Sequence, residues 1–276
     1  MWWRQSRLTV WNKLILSPLC DVGVHLCAKM QWIGPNRMSQ VRKILAWLSV
    51  PVVCLVMMLL YLFRPFNPDN NRILGWVVAR IGRCILGMKR PLYGAENMPK
   101  DRPTVIIANH QQNDDLFVMG DLLPPRGVAV GKSSLVWVPF FGQVFWLGGN
   151  IILNRGRAAK AVATMQATSD AINRERKSIW VFPEGTRSRG RGLGSFKKGA
   201  FHMAVAAGAP ITMVCAGEYH GKSRGWTGRR EPVPLRILPP VETQGMTSED
   251  IPELMHRCRQ QMEEAIADLA LTHGTA

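Results

Sequence analysis

The residues best suited to chemistry begin at Asn109. Asn109-His110-Gln111-Gln112-Asn113-Asp114-Asp115 directly follows the apolar run Val105-Ile106-Ile107-Ala108. β-prone residues, a polar burst and then Leu116-Phe117-Val118-Met119 read as a strand entering a turn and then a helix. Strand ends in α/β proteins are open above and rigid below, so ligand chemistry collects there. His110 in such a turn can act as a base when a carboxylate fixes its tautomer through the other ring nitrogen. By spacing alone, Asp115 and Asp114 can both reach it, and Asp114 can equally serve as a helix N-cap.

Three further polar clusters each lie beside a predicted strand end. Gly131-Lys132-Ser133-Ser134 lacks the spacing of a nucleotide phosphate loop, since Gly127 is one position too close, but Lys132 remains suited to a phosphate. Asn154-Arg155-Gly156-Arg157 closes the run Ile151–Leu153 as a basic turn. The densest cluster is Pro183-Glu184-Gly185-Thr186-Arg187-Ser188-Arg189-Gly190-Arg191, which offers backbone amides, a hydroxyl and guanidinium forks in one loop. A net charge of +16 over 276 residues likewise calls for an anionic partner. Nucleic acid fits poorly, because no aromatics interleave with the basic residues and no nucleic-acid motif occurs. The six cysteines (Cys20, Cys27, Cys54, Cys84, Cys215 and Cys258) form no CxxC pair, which argues against a disulfide framework or zinc site and for a reducing cytoplasm.

The elements that must position these clusters alternate. Strands are expected at Val105–Ala108, Val128–Val130, Ile151–Leu153, Ser178–Phe182, Ile211–Ala216 and Leu235–Leu238. Helices are expected at Leu116–Leu123, Val136–Leu147, Ala158–Asn173 and Lys198–Ala207, the last stopped by Gly208. Ile251, Leu254, Cys258, Met262, Ile266 and Leu269 recur at helical spacing in a closing amphipathic helix. This pattern predicts an α/β fold with a mostly parallel central sheet flanked by helices, occupying residues 91–276.

Residues 38–90 read as an N-terminal helical membrane anchor. Ile44 to Phe63 is a run of twenty uncharged residues, the ~20 needed to cross a hydrocarbon core. The next stretch, Ile73–Met88, carries Arg80 and Arg83 and reads as an interfacial amphipathic helix. Basic residues flank the run on both sides, so a single span and a pair dipping into one leaflet are equally expected. Residues 1–37 form a basic, Trp-rich extension expected to be disordered or interfacial, and Met38 reads as an alternative start.

Asn109-His110-x4-Asp115, Gly131-Lys132 with Pro139-Phe140-Phe141-Gly142, Gly149-Asn150 with Asn154-Arg155, and Phe182-Pro183-Glu184-Gly185-Thr186-Arg187 together form an ordered four-block pattern. It resembles the glycerophospholipid acyltransferase family, above all its bacterial 1-acyl-sn-glycerol-3-phosphate acyltransferases, over most of the chain from about residue 38 to 270. The resemblance implies His110 as base and Asp115 as its partner. It also implies that Lys132, Arg155 and Arg187 bind the substrate phosphate in a pocket shaped by Glu184, Gly185 and Thr186. The implied reaction moves an acyl group from acyl-CoA or acyl carrier protein to the sn-2 hydroxyl of lysophosphatidic acid, giving phosphatidic acid. It implies no metal and no cofactor beyond the thioester co-substrate, and membrane lipids but no nucleic acid as partners. The implied location is the bacterial inner membrane, with the catalytic domain facing the cytoplasm. Transfer to glycerol 3-phosphate or a lyso-aminolipid, or non-catalytic binding of anionic lipid, are the alternatives. Two departures stand out. Ala209-Pro210-Ile211-Thr212-Met213-Val214 has Met213 where the family often carries a second proline, and Asn154 stands where an Asp is common.

Overall fold

The computed structural model describes residues 35–153, 169–220 and 232–273. Arg155, Asn154 and most of the helix expected at 158–173 lie outside them, although 169–173 is helical. Helices α1 (Pro35–Phe63) and α2 (Asp69–Leu86) lead into β1 (Leu92–Tyr93) and β2 (Val105–Ala108). Then come α3 (Asp115–Met119), β3 (Gly127–Lys132), α4 (Phe141–Leu147), β4 (Ile151–Leu153) and β5 (Ser178–Val181). The chain closes with α5 (Gly199–Ala207), β6 (Ile211–Ala216), β7 (Leu235–Ile237) and α6 (Ile251–His273).

The seven strands stand in the order β1-β7-β6-β2-β5-β3-β4. All pair in parallel except β6 with β7. The sheet is therefore mixed but mostly parallel, and the carboxyl ends of β6, β2, β5, β3 and β4 share one edge. Helices cover both faces, which is why the central strands are apolar throughout instead of alternating. On β2, Val105 and Ile107 pack with α5 and α6, whereas Ile106 and Ala108 pack with Met119, Val214 and Trp180. Every residue of β2 and β6 is buried.

Two expected helices change, and one strand appears that was not expected. Val136–Leu147 divides into a 3-10 turn (Ser133–Trp137) and α4, because Pro139 interrupts the amide ladder. The Pro139–Gly142 block then proves to be a packing turn. Phe140 adopts φ 61°, and a Cβ on Gly142 would stand 2.0 Å from the Val136 carbonyl oxygen. Leu116–Leu123 shortens to α3 followed by a 3-10 turn at Gly120–Leu122. The short β1 was not expected, two residues being too few for a periodic signal.

The N-terminal helices are built into the fold. Ala46, Val50, Val53, Cys54, Met57 and Tyr61 of α1 form one buried stripe with Val78 and Leu86 of α2, Phe117 of α3 and Val144 of α4. Asn71 of α2 is buried and donates to the carbonyls of Gly148 (2.7 Å) and Gly127 (3.3 Å). Arg83, expected on an interfacial polar face, instead bonds Asp121 (2.7 and 3.1 Å) and the Phe117 carbonyl (2.8 Å).

Candidate active site

His110 leaves the carboxyl end of β2, and Asp115 opens α3 five residues later. A backbone turn between them brings Nδ1 of His110 to 2.6 Å from Oδ2 of Asp115. The same Oδ2 accepts the backbone N–H groups of Gln111 (2.8 Å) and Gln112 (3.3 Å), so the carboxylate holds its own loop. Oδ1 accepts the phenol of Tyr219, which follows the end of β6, the strand beside β2. Asp115 is 3% exposed and the His110 side chain 17%. The imidazole lies flat on Phe182, with ring centroids 4.0 Å apart and 15° between planes. With Nδ1 engaged, Nε2 is the ring nitrogen left for a substrate. Asp114 does not compete for His110; it pairs with α1.

The loop is pinned from both sides. Asn109 exchanges two hydrogen bonds with the backbone of Ala216, at 2.8 and 2.9 Å. Gln111 donates to the Gly217 carbonyl (2.9 Å) and accepts from the Tyr219 N–H (3.0 Å). Across β5, the Arg-rich loop is zipped to the histidine loop: Ser188 N donates to the His110 carbonyl at 2.8 Å and Arg189 N to that of Gln111 at 3.1 Å. Glu184, 3% exposed, accepts the backbone N–H of His110 (2.7 Å) and of Gly194 (2.9 Å). Burial pushes its carboxyl above the usual range, and those two amides work in the opposite direction. Glu184 therefore shapes the loop from inside, with both oxygens turned to backbone.

The remaining site residues sit at the same sheet edge. Gly185 has φ 67°, which reverses the chain and leaves Thr186 and Arg187 exposed. A Cβ on Gly185 would lie 3.1 Å from the Lys197 side chain, so Lys197 is a further cation folded over this turn. Lys132 is the exposed last residue of β3, which lies two strands from β2. At a strand spacing of about 4.8 Å, the two strand ends stand roughly 10 Å apart, a span that a phosphomonoester and two side chains can bridge. A 3-10 turn follows Lys132, so no phosphate-cradling helix start exists here. Arg155 lies outside the described residues.

Tyr219 and Lys197 were missed in the sequence. A single Tyr 104 positions from its partner carries no local signal; the adjacency comes from the pairing of β6 with β2. Lys197 stood only as one more basic residue.

A family model described as Acyltransferase matches residues 89–216, which hold the histidine and arginine loops. The 1-acyl-sn-glycerol-3-phosphate acyltransferase of Salmonella typhimurium is 41% identical over 221 residues, covering 79% of this chain and 89% of that protein. The human 1-acyl-sn-glycerol-3-phosphate acyltransferase alpha is 36% identical over 222 residues, covering 79% and 75%. The fold matches the crystal structure of the 1-acyl-sn-glycerophosphate (LPA) acyltransferase PlsC from Thermotoga maritima, with a TM-score of 0.61 at 24% identity, over 83% of this chain and 97% of that one. Identity at this level over most of both sequences settles the family: the chain belongs to the 1-acyl-sn-glycerol-3-phosphate acyltransferases and is an acyltransferase.

Proposed function

We propose that this acyltransferase moves an acyl group from a thioester to the sn-2 hydroxyl of 1-acyl-glycerol 3-phosphate, giving phosphatidic acid, with His110 as general base. The observation that carries the reading is the 2.6 Å bond from His110 Nδ1 to a buried Asp115 carboxylate. Nε2 takes the hydroxyl proton as the oxygen attacks the thioester carbonyl; a C–O bond forms, the C–S bond breaks, and the imidazolium returns the proton to the departing thiolate. Asp115 holds the ring and stabilises its cationic form, as an aspartate does in a serine-protease triad, with the substrate hydroxyl standing where serine would. Arg187 and Lys132, with Arg155, hold the phosphate so that attack is effectively intramolecular. The thioester is already an activated acyl donor, so the scheme draws on no metal or cofactor. CoA and acyl carrier protein present the same thioester.

The lipid substrate reaches this edge from a membrane that α1 lies against. Outside its buried stripe, α1 exposes Ile44, Leu45, Leu48, Val52, Leu55, Val56, Leu59, Leu62 and Phe63. The apolar surface continues over Phe66 and Trp146, whose rings meet at 5.2 Å. A contiguous apolar surface of this extent marks contact with lipid or another protein, and the +16 charge favours an anionic lipid surface. The opposite stripe of α1 packs on the α/β domain along the helix, which supports a helix lying in one leaflet with the domain beside it; the face proposed for it is the cytoplasmic side of the bacterial inner membrane.

The test is acyl transfer to lysophosphatidic acid on membranes containing the protein, with acyl-CoA and acyl carrier protein thioesters supplied in turn. Folded His110→Ala and Asp115→Ala variants are expected to lose about 10²–10⁴-fold in rate. Near-wild-type turnover in either would overturn the assignment.

A further inference from the structure

Asp114, the residue beside the proposed catalytic acid, is held by a different part of the chain. Its carboxylate is 1% exposed and makes no capping bond to α3, the role its position suggests. Instead, Oδ1 accepts the indole N–H of Trp47 at 2.9 Å, and Oδ2 lies 3.5 Å from Nζ of Lys43. Both partners belong to α1, 67 and 71 positions earlier in the chain. The Trp47 ring also meets Phe117 of α3 edge-to-face at 5.1 Å. The Asp114 main-chain carbonyl accepts the N–H groups of Phe117 (2.8 Å) and Val118 (3.1 Å), so this residue starts the helix that carries Asp115.

Two adjacent carboxylates therefore face two different parts of the protein. Asp115 holds His110, while Asp114 holds the apolar helix. A buried carboxylate is expensive to strip of its donors, because nothing else in an apolar surrounding solvates the charge. If α1 shifts so that Trp47 and Lys43 withdraw, Asp114 must turn toward water. The peptide it shares with Asp115 turns with it, which displaces the carboxylate whose Oδ2 fixes His110. The reverse also holds: a correctly seated α1 fixes the start of α3 and with it the imidazole. On its other side, between Trp47 and the surrounding phase, α1 exposes Ile44, Leu48, Val52 and Leu55, so the same helix contacts both lipid and the catalytic loop.

We infer that Trp47 is a positioning residue for the His110–Asp115 pair: acting through Asp114, it makes turnover depend on how α1 is seated against its lipid. This inference rests on the function proposed above for that pair.

The experiment uses the full chain on vesicles of phosphatidylethanolamine and phosphatidylglycerol, with lysophosphatidic acid as acceptor. Trp47→Phe keeps an aromatic ring against Phe117 and removes the N–H donor. Its kcat is expected to fall about tenfold, the order set by one hydrogen bond to a charged group, with KM for the acceptor and co-sedimentation with vesicles unchanged. Asp114→Ala is expected to fall at least as far, and the Trp47→Phe/Asp114→Ala double variant no further than Asp114→Ala alone, since both changes remove one interaction. A wild-type kcat in Trp47→Phe, losses that multiply in the double variant, or a loss explained by weaker vesicle binding would each overturn the inference. His110→Ala in the same assay separates the two levels. An active His110→Ala sinks the proposed function itself; an inactive one beside a wild-type Trp47→Phe sinks only the role of Trp47.

Discussion

Tyr219→Phe offers a sharp test of how the acid is held. The phenol is 5% exposed and donates to Asp115 Oδ1. Burial and the adjacent carboxylate keep it protonated, pushing its titration well above the usual tyrosine range, so it remains a donor throughout the working pH range. Phenylalanine preserves the ring and removes only this donor. A hydrogen bond to a charged group contributes about 1.5–3 kcal/mol, and its loss leaves a buried carboxylate oxygen unpaired. For a chain of this size each kcal/mol corresponds to about 2–4 °C in Tm, so a drop of about 3–12 °C is expected. Catalytically the loss is smaller than removal of the acid itself, because Oδ2 keeps His110 Nδ1 and the N–H groups of Gln111 and Gln112. kcat is expected to fall about tenfold, matching a change near 1.4 kcal/mol in the barrier. Steady-state rates and thermal melts measure both effects. A lowered Tm with unchanged kcat would show that the phenol only packs, and would refute the argument.

Arg187→Ala and Lys132→Ala are each expected to raise KM for the lysophospholipid about tenfold or more while changing kcat less, since both lie at the edge proposed for the phosphate; an unchanged KM removes the residue from that site. Glu184→Gln tests the buried clamp through pH. The native carboxyl binds its proton more tightly than the unfolded one, so its contribution to stability is complete below the ordinary glutamate range and is lost as pH rises through the raised native value. The variant is expected to lose that slope in a plot of Tm against pH from 4 to 8, and a wild-type slope would assign it to another group. Placing aspartate at Leu48, Val52 and Leu55 on the exposed side of α1 is expected to reduce vesicle co-sedimentation at least tenfold with little change in Tm, because those side chains are exposed. Retained binding would move the lipid contact elsewhere.

Much of the fold was legible because the signals were local. β2, β4 and β6 match their expected limits residue for residue, each being a compact apolar run bounded by polar or turn residues. α5 stops where Gly208 enters the left-handed region at φ 59°. Failures came where local pattern and chain geometry disagree. Pro139 divided a run that hydropathy alone reads as one helix, and β1 owes its existence to pairing with β7. Arg83 misled for a physical reason: a charged residue on an otherwise apolar helix predicts an interface with water, yet Asp121 supplied an internal partner.

The His110–Asp115 pair was legible as a spacing, but the choice between Asp114 and Asp115 was not, since both fall within reach of one turn. What separates them is a contact 67 residues away in the chain: Trp47 and Lys43 claim Asp114, leaving Asp115 for the imidazole. The same contact changes how the apolar run in α1 reads. By composition it is a helix long enough to cross a membrane. Its Ala46–Tyr61 stripe nevertheless belongs to the core that also holds Phe117, two residues after Asp115. A free span would tolerate substitution anywhere along that stripe if hydrophobicity were kept; a helix packed on Phe117 and bonded to Asp114 does not. Cys54→Leu, which keeps the stripe apolar but overpacks a position with no exposed surface, is therefore expected to destabilise the catalytic domain by about 1–3 kcal/mol. Unchanged thermal unfolding of that domain would mean that α1 is an anchor and nothing more.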